Sequence, residues 1–219
     1  MTGPEFELTF PEQEAAVLRQ RYRQARVILE YGSGGSTLLA AQMPGKYIMS
    51  VESDATWARR LQDKIDASAL PSSAVVWHCD IGPTGAWGRP VDETSWRRFH
   101  HYPTRIWYEP FFRDPDTVLI DGRFRSATFV SVFLRIRKPG TVLFDDYGGR
   151  PAYHAVERLA SPVARHGRMA EFHIEPGPRA IWMQDLFSDL MAQATCARDA
   201  RISYNGTGWD EAGFRKDRP

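Results

Sequence analysis

The sequence predicts an α/β fold: a doubly wound, mostly parallel sheet with helices on both faces, closed near its C-terminal end by an antiparallel hairpin. Three observations predict it. From Arg26 onward, short β-branched apolar runs alternate with stretches of helical periodicity, the rhythm of right-handed βαβ units. The first apolar run enters a glycine turn, Gly32-Ser-Gly-Gly35, immediately before a helical stretch. Later in the chain, residues 169–175 and 179–183 flank Glu175-Pro-Gly-Pro178, a turn signal that folds two strands back antiparallel.

A helix is expected before the sheet. Thr9 can cap it, Pro11 suits its first turn, and Glu12 stands three residues after Thr9 in a capping-box relation. Strands are expected near 26–31, 46–51, 74–79, 117–121 and 140–145, and helices near 35–43, 54–68, 126–137 and 151–160. The hairpin brings the complete sheet to seven strands, and a last helix falls near 185–198. Residues 1–200 then form one domain, and 201–219 a tail rich in Gly and charge that frays or packs on a partner. One stretch breaks the rhythm. Residues 82–116, between the third and fourth strands, include Trp87, Trp96, Arg97, Arg98, Phe99, His100, His101, Tyr102, Trp107 and Tyr108. A connection this long reads as a functional lid insertion or as an irregular helix covering the sheet with its aromatics beneath, and the two are not exclusive.

Bulk properties exclude several function classes. A chain of 219 residues with 42% hydrophobic and 25% charged residues suits one soluble domain with a sizeable core. A formal net charge of +1 supplies no global field for nucleic acid or an anionic membrane. Cys79 and Cys196 lie far apart and outside any CxxC pattern, which argues against a disulfide framework and a cysteine zinc site. The acidic opening of the chain lacks the form of a signal peptide, and no apolar run approaches the roughly 18 residues that span a bilayer. A reducing, cytoplasmic setting is the expectation, with no feature setting an oligomeric state. The arginines and aromatics of 82–116 would suit stacking on nucleic-acid bases, but no basic stripe continues them elsewhere. A small substrate, anionic or aromatic, is the more economical partner.

The chemistry concentrates in Val27-Ile-Leu-Glu-Tyr-Gly-Ser-Gly-Gly-Ser-Thr37 and in Glu52, which ends the next apolar run. Gly32 and Gly34 carry no Cβ and permit tight curvature and close ligand approach. Glu52, about 20 positions after the first glycine, can accept both hydroxyls of a ribose. This layout predicts a Rossmann-like pocket for an adenosine-bearing cofactor. Thr37 occupies the third glycine position of the dinucleotide fingerprint, which argues against NAD or FAD and favours a cofactor without phosphates.

Glu30-Tyr-Gly-Ser-Gly-Gly-Ser36 resembles the E/D-x-G-x-G-x-G/S motif of class I S-adenosylmethionine-dependent methyltransferases, and the resemblance spans about residues 25–185. It implies that Glu30 and the turn residues Tyr31, Gly32, Ser33, Gly34, Ser36 and Thr37 hold the amino-acid end of S-adenosylmethionine. It implies ribose binding by Glu52 with Ser53 beside it, and adenine near Asp80 and Ile81. The closing hairpin belongs to the same resemblance.

Asp121, after Val118-Leu-Ile, and the pair Asp145-Asp146, after Gly140-Thr-Val-Leu-Phe, put carboxylates at the C-terminal ends of adjacent strands. Ligands of open α/β sheets bind there. Asp121 is thus also placed to touch the cofactor. The three are similar to the carboxylates of catechol-type and macrolide-sugar O-methyltransferases, in some of which such positions bind magnesium. The resemblance implies Mg2+ on Asp121, Asp145 and Asp146, lowering the pKa of a substrate hydroxyl. Arg123, Phe124 and Arg125 depart from that branch, standing where an acid and a His are often found. Three readings stay open: magnesium, an Arg–Asp network that replaces it, or direct use of Asp121 or Asp146 as general base. His154, early in the helix after the fifth strand, is a further candidate base, or else a packing residue. The expected activity is methyl transfer from S-adenosylmethionine to a small molecule, at oxygen. The alternatives are an S-adenosylmethionine- or nucleotide-binding protein without transfer activity, and an NAD-binding oxidoreductase.

Overall fold

Successive residues of the central strands enter different cores. Leu29, Met49, Val118 and Val142 face one side of the sheet, whereas Ile28, Ile48, Leu119 and Leu143 face the other. Strands buried on both faces read as unbroken apolar runs, and that is why they stand out in the sequence.

The computed structural model describes residues 6–197, so the tail expected over 201–219 and the last residues of the expected 1–200 domain lie outside the described residues. The chain begins with α1 (Glu12–Gln24), β1 (Val27–Tyr31), α2 (Gly35–Ala41), β2 (Tyr47–Glu52), α3 (Ala55–Asp66) and β3 (Ser73–His78). Two one-turn helices, α4 (Trp96–Phe99) and α5 (His101–Thr104), lead to β4 (Thr117–Ile120), α6 (Arg125–Arg135) and β5 (Gly140–Phe144). The hairpin strands β6 (Ala164–His166) and β7 (Met169–Ile174) and the helix α7 (Trp182–Met191) follow. The sheet has seven strands in the order β3-β2-β1-β4-β5-β7-β6. All pairings are parallel except β5 with β7 and β6 with β7. The strand order reverses between β1 and β4, which opens a crevice beyond their C-terminal ends.

Three helices cover one face. Leu18 and Tyr22 of α1, Ala40 and Ala41 of α2, and Ala58, Leu61 and Ile65 of α3 share one core with the sheet. The last set recurs at three- and four-residue spacing, the signature of a helix with one buried stripe. Asp54 caps α3 by accepting the amides of Thr56 and Trp57 at 2.8 and 2.9 Å. Phe129, Val132 and Phe133 of α6, with Phe99 and Tyr102, fill the opposite core.

The expected boundaries of the five parallel strands and of α2, α3 and α6 hold within about two residues. Four local expectations are corrected. Helix α1 starts after Pro11, which serves as N-cap without a side-chain bond, so the Thr9–Glu12 capping box does not form. The closing hairpin pairs 164–166 with 169–174 rather than 169–175 with 179–183. Gly167, at φ +56°, and Arg168 make its two-residue turn. Residues 179–183 are not a strand. Pro176 and Pro178 lack the N–H a ladder needs, and α7 begins at Trp182 rather than near 185 and ends at Met191. The helix expected over 151–160 is a 3-10 helix, Pro151–Arg158.

Residues 82–116 divide in two. Phe99, Tyr102, Ile106, Trp107 and Phe112 are buried in the sheet's second core, so this half is the crossover from β3 to β4. Pro103 and Pro110 keep it from forming one long helix. The earlier half stays at the rim, where Trp87 is 86% exposed.

Helix α1 also fastens the hairpin. The buried Glu14 accepts the Arg168 amide at 2.8 Å, and a Cβ on Gly167 would lie 2.3 Å from Glu14 Oε1.

Candidate active site

The glycine turn is held from beneath. Glu30 is fully buried and accepts hydroxyls from Tyr22 (2.6 Å), Thr37 (2.6 Å) and Ser50 (2.5 Å). Burial raises its pKa, and the hydroxyl donors, Ser50 foremost, oppose the rise. Thr37 in turn accepts the Gly34 amide at 3.1 Å, closing the first turn of α2. Its hydroxyl is the physical reason for Thr at the third glycine position. Ser36 is buried close to Glu30, and the Tyr31 ring turns into the core, its hydroxyl accepting Trp107 Nε1–H at 2.8 Å. Glu30 and Tyr31 therefore shape the turn from inside. Its outer surface is offered by the backbone of Gly32, Ser33 and Gly34.

Glu52 closes β2 with both oxygens engaged. Oε1 accepts the amides of Ser53 and Asp54 at 2.7 and 2.9 Å, and Oε2 accepts the Ser33 hydroxyl at 2.9 Å. Ser53 donates its hydroxyl to the Gly88 carbonyl at 2.8 Å, which brings the 82–116 rim against Glu52. At the end of β3, Asp80 is exposed and pairs with Arg98 at 2.6 Å, while Ile81 is fully buried. The Gly82 amide first, then Arg98, hold the Asp80 carboxyl below its usual range against the opposing effect of burial.

Asp121, Asp145 and Asp146 converge at the ends of β4 and β5. Each meets a guanidinium. Arg168 forks onto Asp145 with bonds of 3.0 and 2.9 Å. Arg125 Nη1 and Arg150 Nη2 both reach Asp146 Oδ2, at 3.0 and 2.9 Å. Arg125 also binds Asp121 Oδ1 at 2.8 Å and donates to the carbonyls of Asp121, Gly122 and Asp145. Asp145 is 1% exposed and Asp121 33%. Desolvation raises the Asp121 pKa to about 7, with Asp145 and Asp146 adding to the rise and Arg125 opposing it. His154 stands apart: its Nε2 lies 3.2 Å from the Tyr147 carbonyl, and its ring stacks on Tyr147.

No family model matches the chain, and no curated protein matches it. Among solved structures, a methyltransferase-like protein from Silicibacter pomeroyi is 44% identical, with a TM-score of 0.81, over 85% of this chain and 97% of its own. The chain belongs to the class I S-adenosylmethionine-dependent methyltransferases. An S-adenosylmethionine-dependent O-methyltransferase from Thermotoga maritima, 10% identical, has the same fold at a TM-score of 0.50 over 80% of this chain and 69% of its own.

At the switch point of the methyltransferase sheet, Gly32 and Gly34 stand in different surroundings. Gly32 takes φ +98°, and a Cβ there would lie 2.9 Å from the Gly122 amide, so the ends of β1 and β4 approach as closely as backbone allows. Gly34, by contrast, faces space in which a Cβ would meet only Trp57, at 3.7 Å. The acidic cluster of the methyltransferase does not fit magnesium. A hard cation needs six or more oxygens, including carboxylates free to turn toward it. Here Asp121, Asp145 and Asp146 are committed to Arg125, Arg150 and Arg168, and no metal-competent cluster occurs among the described residues. This corrects the expected metal ligands. It also corrects the partners expected for an Arg–Asp network, since Arg123 takes no part in it. Arg150 and Arg168 escaped sequence reasoning because they come from the segment after β5 and from the hairpin turn. The glycine beside Arg168 was the one available signal. Trp87, Phe124 and Asp146 are the non-glycine residues with left-handed backbone among those described. All three lie on turns around this crevice, where strain of ~1–3 kcal/mol per residue is characteristic of functional sites.

Proposed function

We propose that this enzyme methylates an oxygen of a small, cytoplasmic molecule, with Asp121 receiving the proton and no metal taking part. When bound, S-adenosylmethionine supplies an electrophilic methyl group on a sulfonium. The outer face of the Gly32–Gly34 turn holds the amino-acid end, Glu52 with Ser53 holds the ribose, and Asp80 with the Ile81 backbone borders the adenine. Glu30, Tyr31, Ser36 and Thr37 set the shape of that turn, and His154 braces Tyr147. Of the three carboxylates, Asp145 is enclosed by its guanidinium fork and Asp146 is held by two arginines at hydrogen-bonding distance. Asp121 keeps one arginine partner and an open side.

The observation carrying the reading is that partly buried carboxyl at the strand-end crevice, 33% exposed and with its pKa raised to about 7 by burial. A base poised near neutrality can take a hydroxyl proton as the oxygen attacks, and alignment of acceptor with donor supplies the remaining rate enhancement. Transfer should increase between pH 6 and pH 8 as Asp121 ionises, and Asp121→Asn should remove this dependence. The test is incubation with methyl-labelled S-adenosylmethionine and a panel of hydroxylated small molecules, with the product identified by mass spectrometry. A labelled methyl ether or ester is expected, whereas label on nitrogen, sulfur or RNA would overturn the reading.

Two further outcomes are expected. Glu52→Ala should weaken binding of S-adenosylhomocysteine by ~1–3 kcal/mol, measured by calorimetry, through loss of a charged hydrogen-bond acceptor. Chelation by EDTA should leave transfer unchanged, and added magnesium should not raise the melting temperature. Activity lost on chelation and restored by magnesium would sink the arginine-locked cluster.

A further inference from the structure

We infer that Arg89 and Arg123 form an anion-binding pair at the rim of the crevice and hold a carboxylate or phosphate group of the acceptor. This rests on the reading that the acceptor enters beside Asp121, and it adds the substrate's chemical class. The charges around the crevice leave these two over. Asp121, Asp145 and Asp146 are balanced by Arg125, Arg150 and Arg168, and Glu52 is satisfied by amides and a hydroxyl. Among the described residues, neither Arg89 nor Arg123 has a carboxylate at ion-pair distance. The Nε of each is buried without an acceptor. A buried N–H donor left without an acceptor is expensive, and an anion at the partly exposed guanidinium would complete it.

The backbone brings the two in from opposite sides. Arg89 follows Gly88, where a Cβ would lie 2.5 Å from Ser53 Oγ and 3.2 Å from Glu52 Oε1. Arg123 follows Gly122, where a Cβ would lie 2.7 Å from the Gly32 amide and 2.0 Å from Tyr102 Oη. One arginine thus stands on the rim over Glu52 and the other at the β1–β4 switch point. They are close enough to feel each other: burial first, then Arg125, and Arg89 as well, lower the Arg123 pKa to about 10. Trp87, exposed and two residues before Arg89, offers an indole face to the apolar body of such an anion.

The test is calorimetry at low ionic strength on protein saturated with S-adenosylhomocysteine, titrated separately with benzoate, phenyl phosphate and neutral benzamide. At least one anion should bind tenfold more tightly than benzamide, and the benzoate and phenyl phosphate arms separate carboxylate from phosphate. Arg89→Gln and Arg123→Gln should each erode that preference and the double variant should abolish it, with Arg123→Lys retaining part. Equal binding of anions and benzamide would overturn the pair, as would a preference that survives the double variant. A tenfold loss of S-adenosylhomocysteine affinity in the double variant would assign the pair to the donor's own carboxylate and overturn it too. The variants should melt no lower than the wild type, because they remove unpaired like charges. If the wild type fails to bind S-adenosylhomocysteine, the donor assignment falls by itself, and the same titrations on the unloaded protein decide the anion pair.

Discussion

Gly122→Ala should destabilise the fold by about 2–4 kcal/mol and weaken S-adenosylhomocysteine binding more than tenfold. Inserting a methyl group into a packed site costs ~1–3 kcal/mol, and loss of a buried hydrogen bond adds ~1 kcal/mol. Here the atoms in the way are poorly able to yield. The new Cβ would lie 2.7 Å from the Gly32 amide and 2.9 Å from the Tyr31 carbonyl carbon, both backbone, and 2.0 Å from the buried Tyr102 hydroxyl. Relief requires β1 and β4 to separate at their C-terminal ends, and that displaces the turn proposed to hold the donor. Denaturant unfolding reads the first effect and calorimetry the second. A variant with wild-type stability and affinity would show that the strand ends are not rigidly apposed.

Arg125→Ala should cost about 3–5 kcal/mol, the range for removing one partner of a buried ionic group. The guanidinium is 8% exposed and lies within ion-pair distance of three carboxylates while donating to three backbone carbonyls, so no water replaces it cheaply. The loss should grow with pH. In the folded wild type Asp121 already holds its proton more tightly than in the unfolded chain. Its protonation therefore favours folding, an effect complete below the unfolded value near 4 and lost as pH rises through about 7. Removing Arg125, which opposes that rise, shifts the folded pKa further upward. Urea unfolding at pH 5 and pH 8 should show the wider gap between variant and wild type at pH 8. A gap independent of pH would mean that Arg125 stabilises through packing alone.

What the sequence disclosed follows from the range of the forces involved. Val27–Leu29 and Val118–Ile120 were legible because strands buried on both faces carry unbroken apolar runs. Gly32 and Glu52 were legible because a turn and a strand end are local events. The closing hairpin was misplaced: Pro-Gly-Pro is the louder turn signal, but Gly167 meets the geometric demand of a two-residue loop. The aromatics of 82–116 kept two readings open because prolines erase the periodicity that separates core from rim. The neutralisation of the acidic cluster was hidden more deeply. Arg125 follows Asp121 by one helical turn, but Arg168 reaches Asp145 across 23 positions, and nothing local marks it as a partner.

The clasp between Glu14 and the Gly167–Arg168 turn has a kinetic side. It joins residues 154 positions apart, and the same Arg168 neutralises Asp145. During synthesis, the first helix emerges long before the loop it must grip, and long-range closure is slow. Until residue 168 has left the ribosome, the buried Asp145 lacks its principal counter-charge. The acidic end of the sheet is therefore completed late, when the two ends of the domain meet, and a nascent chain must hold an unfinished sheet edge in solution until then.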